Sequence, residues 1–250
     1  MISTKSTFLR REAFDYKESR CTIISDSEDA VKAAVASIKH HRRELDRYVQ
    51  EHPRFLYSLR PVHVDRGPEV VELMAGAAEP AGVGPMAAVA GVLADLAVEE
   101  MVLEGAEVAV VENGGEASLV SNVPMDVALS AGDSPLSKRV GFRLERFPMG
   151  VATSSGLFSH ALSFGEAEAV TIFARNAGSA DAAATAVGNI VRGDDERGSI
   201  ERGVERALSI DAVRGVFIVY RGMVGMGGEV PAIIGVSPLD GKGRWIRDPG

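Results

Sequence analysis

The sequence predicts an α+β protein: a largely antiparallel sheet with helices packed on one side. The first observation is the order of its segments, which runs strands, helix, helix, strands, helices, strands. A doubly wound sheet would alternate strand and helix instead. The second is Asn113-Gly114-Gly115, the strongest hairpin signal in the chain, set between two strand-like runs. The third is a pair of long stretches, 25–50 and 86–104, whose apolar residues suit helices that cover a sheet.

Taken in order, residues 7–24 read as two strands joined near Lys17-Glu18-Ser19. Ser25 or Ser27 opens a helix, and Glu28 follows Ser25 by three residues, as a capping box requires. Val31, Val35, Ile38, Leu45 and Val49 give that helix one apolar face, and Pro53 ends it. A short helical piece at 54–59, a strand at 61–64 and a short helix at 68–76 follow. Gly82, Gly84 and Pro85 introduce the second long helix, about 86–104, which is apolar on nearly every side and so expected to be mostly buried. Strands at 107–111, 116–120, 126–130, 139–144, 151–153 and 169–174 are expected to continue one sheet. Small-residue and charged helices at 179–191 and 199–208 precede a closing hairpin of 213–219 with 230–236 around Gly225-Gly227-Gly228. No repeat, low-complexity segment or linker interrupts the chain, so one domain over 1–250 is expected.

Composition narrows the function. The net charge is −8, whereas a nucleic-acid binder usually presents a basic face. The basic run Lys39-His40-His41-Arg42-Arg43 lies on a predicted helix and reads as a solvated face, so no nucleic-acid partner is expected. The lone Cys21 allows no internal disulfide, fits a reducing compartment and reads as a small core residue. The first residues show no apolar signal core, and the most apolar stretch, 83–98, contains Gly84, Pro85, Gly91 and Asp95. A cytoplasmic protein that makes no membrane contact is therefore expected.

Four segments could carry chemistry. Asp181 and Thr185 are four residues apart at the start of a helix, so both oxygens leave one face near the positive end of its dipole. They either supply hard oxygen ligands for Mg²⁺ beside a phosphate, or Asp181 complements the dipole and Thr185 packs. Asn113-Gly114-Gly115-Glu116 is either an ordinary hairpin or a turn that lets a ligand approach closely. Thr153-Ser154-Ser155 offers three adjacent hydroxyls between Gly150 and Gly156, with His160 shortly after. Ser155 and His160 could act as nucleophile and base, but no acid partner is identifiable and no Gly-x-Ser-x-Gly elbow is present. The fourth, Gly82-Val83-Gly84-Pro85, opens a helix without the Gly-Lys-Ser/Thr of a phosphate-binding P-loop.

The order of these segments resembles the ApbE-like flavin-transferase superfamily. Val89-Ala90-Gly91 running to Asp95 is similar to its Gly-rich helix start, and Asn113-Gly114-Gly115-Glu116 to its Asn-x-Gly-Gly-Asp. Ala152-Thr153-Ser154-Ser155-Gly156 and Ser159-His160 resemble its Thr-Ser-Gly and Ser-His elements. Asp181-Ala182-Ala183-Ala184-Thr185 matches its Asp-Ala-x-x-Thr most closely. The likeness covers about 82–192, and the hairpin and helix at 7–50 match the family less well. It implies a T-fold-like ApbE architecture and a pocket for a small phosphate-bearing ligand, FAD or FMN. Members of known activity move FMN from FAD onto a threonine of a target protein, using Mg²⁺. By resemblance, Asp181, Thr185 and a backbone carbonyl near Val89 would hold the metal. Asn113 to Glu116, Thr153 to Ser155 and His160 would line the pocket, with His160 as the catalytic candidate. Association of T-fold relatives through their sheets implies a homo-oligomer. The sequence departs from the pattern at Ala90, where the family has Lys, at Glu116, where it has Asp, and at Ala161-Leu162 after the Ser-His element. These departures imply a divergent branch that acts on a different substrate, or only binds one.

Overall fold

The computed structural model describes residues 9–129, 136–137, 139–155, 165–237 and 246–247. It begins with a hairpin of β1 (Arg10–Tyr16) and β2 (Ser19–Ser25), closed through Lys17 at φ 53°. Helix α1 (Glu28–Glu51) is capped by Ser27, whose hydroxyl accepts from the Ala30 amide at 3.3 Å. Ser25 does not cap it. Its hydroxyl accepts from the Ser27 amide one turn too early, at 3.1 Å, so the anticipated capping box does not form.

The chain then makes α2 (Pro53–Tyr57) and α3 (Glu69–Ala81). The strand expected at 61–64 is absent: Pro61 has no N–H to give to a ladder, and His63 and Asp65 are exposed. Helix α3 runs past its anticipated end to Gly82, which closes it at φ 68°. After a 3₁₀ turn (Pro85–Ala88), α4 (Val89–Leu103) is buried over most of its surface, as its composition foretold.

The remaining elements are β3 (Val108–Asn113), β4 (Glu116–Ser121), β5 (Met125–Ala128), β6 (Val140–Leu144), β7 (Met149–Ser154) and β8 (Ala169–Ala174), then α5 (Ala177–Gly188) and α6 (Glu196–Leu208). Strands β9 (Val213–Tyr220), β10 (Met223–Gly228), β11 (Ala232–Ser237) and β12 (Ile246–Arg247) complete the order. Eight strands form one antiparallel sheet in the order β1-β2-β3-β4-β7-β8-β9-β10. The α+β expectation holds, with two corrections. Strands β5 and β6 leave the main sheet and form a second one, ordered β12-β11-β6-β5. The closing hairpin joins β9 to β10, and β11 crosses to β6 instead of pairing with β9. The two-residue turn Arg221-Gly222, both at positive φ, is tight enough to select β10 as the partner.

Helices cover one face of the large sheet. Ile23, Ala109 and Val111 pack there against Ile38 of α1 and Met101 of α4. Further along, Ala152, Ile172 and Ile218 pack against α4, α5 and α6. The other face carries the small sheet. Phe142 of β6 meets Phe173 of β8 and Phe217 of β9 edge-on, at ring separations of 4.9 and 5.2 Å. Among the described residues no single helix is long and apolar enough to cross a membrane, and the apolar pair 69–81 and 85–103 bends by 101°.

Candidate functional site

The site is organised by the turn between β3 and β4. Asn113 pairs directly with Glu116, which leaves a two-residue loop, Gly114-Gly115, at φ 74° and 127°. Both angles lie where a side chain would be strained, so the turn requires glycine. Strand alternation then sorts the neighbours. Asn113, Glu116 and Ser118 face the helices, while Glu112, Ala117 and Leu119 face the small sheet.

On the helix face, α4 and α5 cap each other. Asp95, from within α4, accepts from the Ala177 and Gly178 amides at the start of α5, at 2.9 and 2.8 Å. Asp181, from the first turns of α5, accepts from the Gly91 amide at 3.1 Å and from the Ala90 amide at the start of α4. Each carboxylate thus satisfies backbone donors that the other helix leaves open. The exchange needs close contact, which Gly91 permits: a Cβ there would stand 2.2 Å from the Ala177 carbonyl oxygen. Asn113 completes the junction by donating its side-chain amide to the Ala90 carbonyl at 3.2 Å.

This junction gathers carboxyl groups. Burial pushes the Asp181 carboxyl well above the usual range, and the nearby Glu116 pushes it further. Burial likewise lifts Glu116 from 4.5 to about 7, with Glu112 adding to the rise. Asp95 is raised by burial, although Ser118 and the α5 amides oppose the shift. Two desolvated carboxyls that repel each other favour either a retained proton or a bound cation.

On the opposite face a cleft of about 500 Å³ opens between the two sheets. Ile24, Val110 and Phe142 give it apolar walls, and Gly114 and Gly115 border it. Thr22, Thr153, Thr171 and Ser155 bring hydroxyls, and Arg11 brings a positive charge. The Thr153 and Thr171 hydroxyls bond each other at 2.9 Å. Ser155 is only 8% exposed, and its hydroxyl has no hydrogen-bond partner among the described residues. The volume suits a small organic ligand.

A family model described as AbpE bacteria matches residues 6–223. The chain belongs to this family. The AbpE-family chain is 42% identical to a UPF0280 protein of Methanopyrus kandleri over 222 residues, which cover 87% of this chain and 90% of the relative. Its fold is shared with the flavinyl transferase ApbE of Pseudomonas stutzeri in its apo form, at a TM-score of 0.61 and 16% identity, over 91% of this chain and 96% of that one. The ApbE protein of Thermotoga maritima matches at a TM-score of 0.57 and 14% identity, over 88% and 97%. At such identities the likeness is one of fold, and it bears out the ApbE-like architecture expected from the motif order.

The described residues singled out from the sequence of this AbpE-family chain fall into two groups on opposite faces of one sheet. Asn113, Glu116 and Asp181 meet at the start of α4, whose first residue is Val89. Thr185 stands one turn beyond Asp181 on α5, half-buried. Gly114, Gly115, Thr153 and Ser155 border the cleft. Ser154 alternates away from it, since its β8 partner Val170 packs under the helices. His160 lies outside the described residues. Sequence reasoning missed Arg11, Thr22 and Glu112, which reach the cleft only because β2 pairs with β3 across the whole helical segment between them. It noticed Asp95 without foreseeing the cap on α5. Cys21 is a core residue as expected, 4% exposed, with its thiol pushed up to about 12 by burial.

Glu116 gives a pH signature. Its folded value lies above its unfolded one, so folding favours the protonated form. Its contribution to stability is therefore full below pH 4.5 and is lost as the pH rises through about 7. Glu116→Gln is expected to flatten the decline of melting temperature across that window in metal-free buffer. A parallel decline in both proteins would show that Glu116 is not desolvated.

Proposed function

We propose that this chain binds a flavin- or nucleotide-like ligand with its ring system in the cleft and its phosphoanhydride at the β3–β4 turn, and acts there as a Mg²⁺-dependent transferase or hydrolase. The observation that carries this reading is the placement of that turn. Gly114 and Gly115 border the cleft, and the next residue, Glu116, stands with Asp181 on the other face.

The residues present fit a hard divalent cation. Asp181 and Thr185 are oxygen donors on one face of α5, and Glu116 adds a second carboxyl whose repulsion with Asp181 a cation would relieve. The carbonyls of the first turn of α4, near Val89, lie at the same junction. When bound, Mg²⁺ would offset charge that develops on phosphate oxygens. The rest falls to the chain's own groups. The buried Ser155 hydroxyl is poised to bond a ligand, Arg11 offers a positive charge, and the apolar walls exclude water. Ala90, at the start of α4, stands where the resembling family has Lys, and Arg11 is the basic side chain that lines the cleft among the described residues. A reducing, cytoplasmic setting belongs to the same reading and is supported by the single core cysteine.

A second reading, ligand binding without turnover, is favoured by the state of Asp181. Its oxygens already accept from two backbone amides, as a purely structural cap would. Thermal denaturation with FAD, FMN, ATP and S-adenosylmethionine, each with and without Mg²⁺, tests the common part. Ligand at 100 times its dissociation constant stabilises by about 2.7 kcal/mol, or roughly 5–10 °C for a chain of this size. A Mg²⁺-dependent shift with FAD is expected, and no shift with any of the four would overturn the proposal. Chromatography of FAD incubated with the protein then separates the two readings, since FMN and AMP form only if the anhydride is broken.

A further inference from the structure

The basic run on α1 does not behave as one patch. Lys39 lies over the Phe14 ring at 5.4 Å, Arg42 pairs with Glu18 and Asp46, and Arg43 reaches the Tyr16 hydroxyl at 3.4 Å. The two histidines between them instead converge with Glu44. The His40 Nε2 atom is 3.4 Å from Glu44 Oε2, and His41 Nδ1 is 3.6 Å from the same oxygen. One ligand atom from each of the three side chains lies within 4.8 Å of the others. His41 is 8% exposed, and its buried Nδ1 has no hydrogen-bond partner among the described residues.

We propose that His40, His41 and Glu44 form a site for a divalent transition-metal ion, Zn²⁺ in the first instance, at the junction of α1, α3 and α4. The site is separate from the one at the start of α5, and nothing in the proposed function requires it. Helical spacing brings the donors together, since Glu44 follows His40 by four residues and His41 by three. Donors about 2.0–2.1 Å from Zn²⁺ stand about 3.3–3.4 Å apart at the corners of a tetrahedron. The separations of 3.4 and 3.6 Å to the Glu44 oxygen lie close to such edges, and the second is too long for a hydrogen bond.

The surroundings favour a cation on a neutral ring. Burial is the leading influence on His41 and, with the neighbouring His40, lowers its pKa, which favours the neutral ring. Glu69 of α3 and Glu100 of α4 join Glu44 in placing negative charge toward that ring. Two imidazoles and one carboxylate suit Zn²⁺, Ni²⁺ or Cu²⁺ better than Mg²⁺. Three protein ligands leave the fourth corner to water.

Zinc titration of the full chain against a chromophoric chelator tests the site, with cobalt substitution to read coordination by visible absorption. One equivalent of Zn²⁺ per chain is expected, and Co²⁺ should give the intense bands of a tetrahedral centre. His41→Asn and Glu44→Gln should each weaken Zn²⁺ by at least about tenfold, whereas Asp181→Asn should bind it like the unaltered chain. His40→Ala removes an exposed side chain and should weaken Zn²⁺ without disturbing the fold. The proposal is overturned if the chain takes up no Zn²⁺, if His40→Ala and Glu44→Gln bind as the unaltered chain does, or if Asp181→Asn alone abolishes uptake.

Discussion

Gly91→Ala is expected to lower the melting temperature by about 6–12 °C. The added Cβ would stand 2.2 Å from the Ala177 carbonyl oxygen and 2.4 Å from its carbon. Both are backbone atoms at the start of α5, where Asp95 holds the adjoining amides, so neither can swing aside as a side chain would. Helices α4 and α5 must separate, which lengthens the bond from the Gly91 amide to Asp181 and disturbs the reciprocal caps. Overpacking of this kind costs about 3 kcal/mol, and a chain of this size loses roughly 2–4 °C per kcal/mol. Gly76→Ala is the control: nothing lies within 4 Å of its added Cβ. In the interior of α3 it should stabilise the protein by about 0.5–1 kcal/mol. Calorimetry of the two variants decides the matter. A Gly91→Ala protein that melts with the unaltered chain would show that the helices can part at their crossing without penalty.

Asp181→Asn is expected to act in opposite directions on stability and on ligand response. Asn keeps one oxygen to accept from the Gly91 amide, so that bond of the α4 cap survives. It removes a charge that burial and Glu116 both penalise, so the ligand-free protein should melt higher at pH 7. The sign follows from the raised carboxyl: its charged form opposes folding at any pH above its unfolded value. The Mg²⁺-dependent part of the FAD shift, the larger share of roughly 5–10 °C, should vanish. A variant that melts higher yet keeps the full Mg²⁺-dependent shift would assign Asp181 to the cap alone. One that melts lower would mean that the charge is already compensated in the native state.

The local parts of this fold were legible in the sequence. Gly114-Gly115 announced its hairpin because positive φ at two successive positions leaves few alternatives, and the all-round apolarity of 86–104 foretold a buried helix. Choices that depend on distant partners were not legible. Strands β5 and β6 have the alternation of main-sheet strands, and only the packing of Phe142 on Phe173 and Phe217 shows that they lie across it. The apolar run at 230–236 marks a strand, but its partner β6 lies far back in the chain. The candidate site divides the same way. Asp181, Glu116 and Asn113 stood out through motif spacing, and the structure brings them together. Asp95 as a cap and Arg11 on the cleft wall follow from tertiary pairing, which no spacing encodes.

The strand order also bears on how the chain reaches its native state. β1–β2, β3–β4, β5–β6 and β9–β10 are local hairpins that can zip early, whereas β2–β3, β4–β7 and β6–β11 join segments far apart in sequence. Pairings of the second kind close long loops before any contact rewards them, and they place a chain among slow folders. The cleft takes lining residues from β1 through β8, so no single hairpin contains it. It comes into being only when the long-range pairings have closed, and a ligand that occupies it selects for chains that have finished folding.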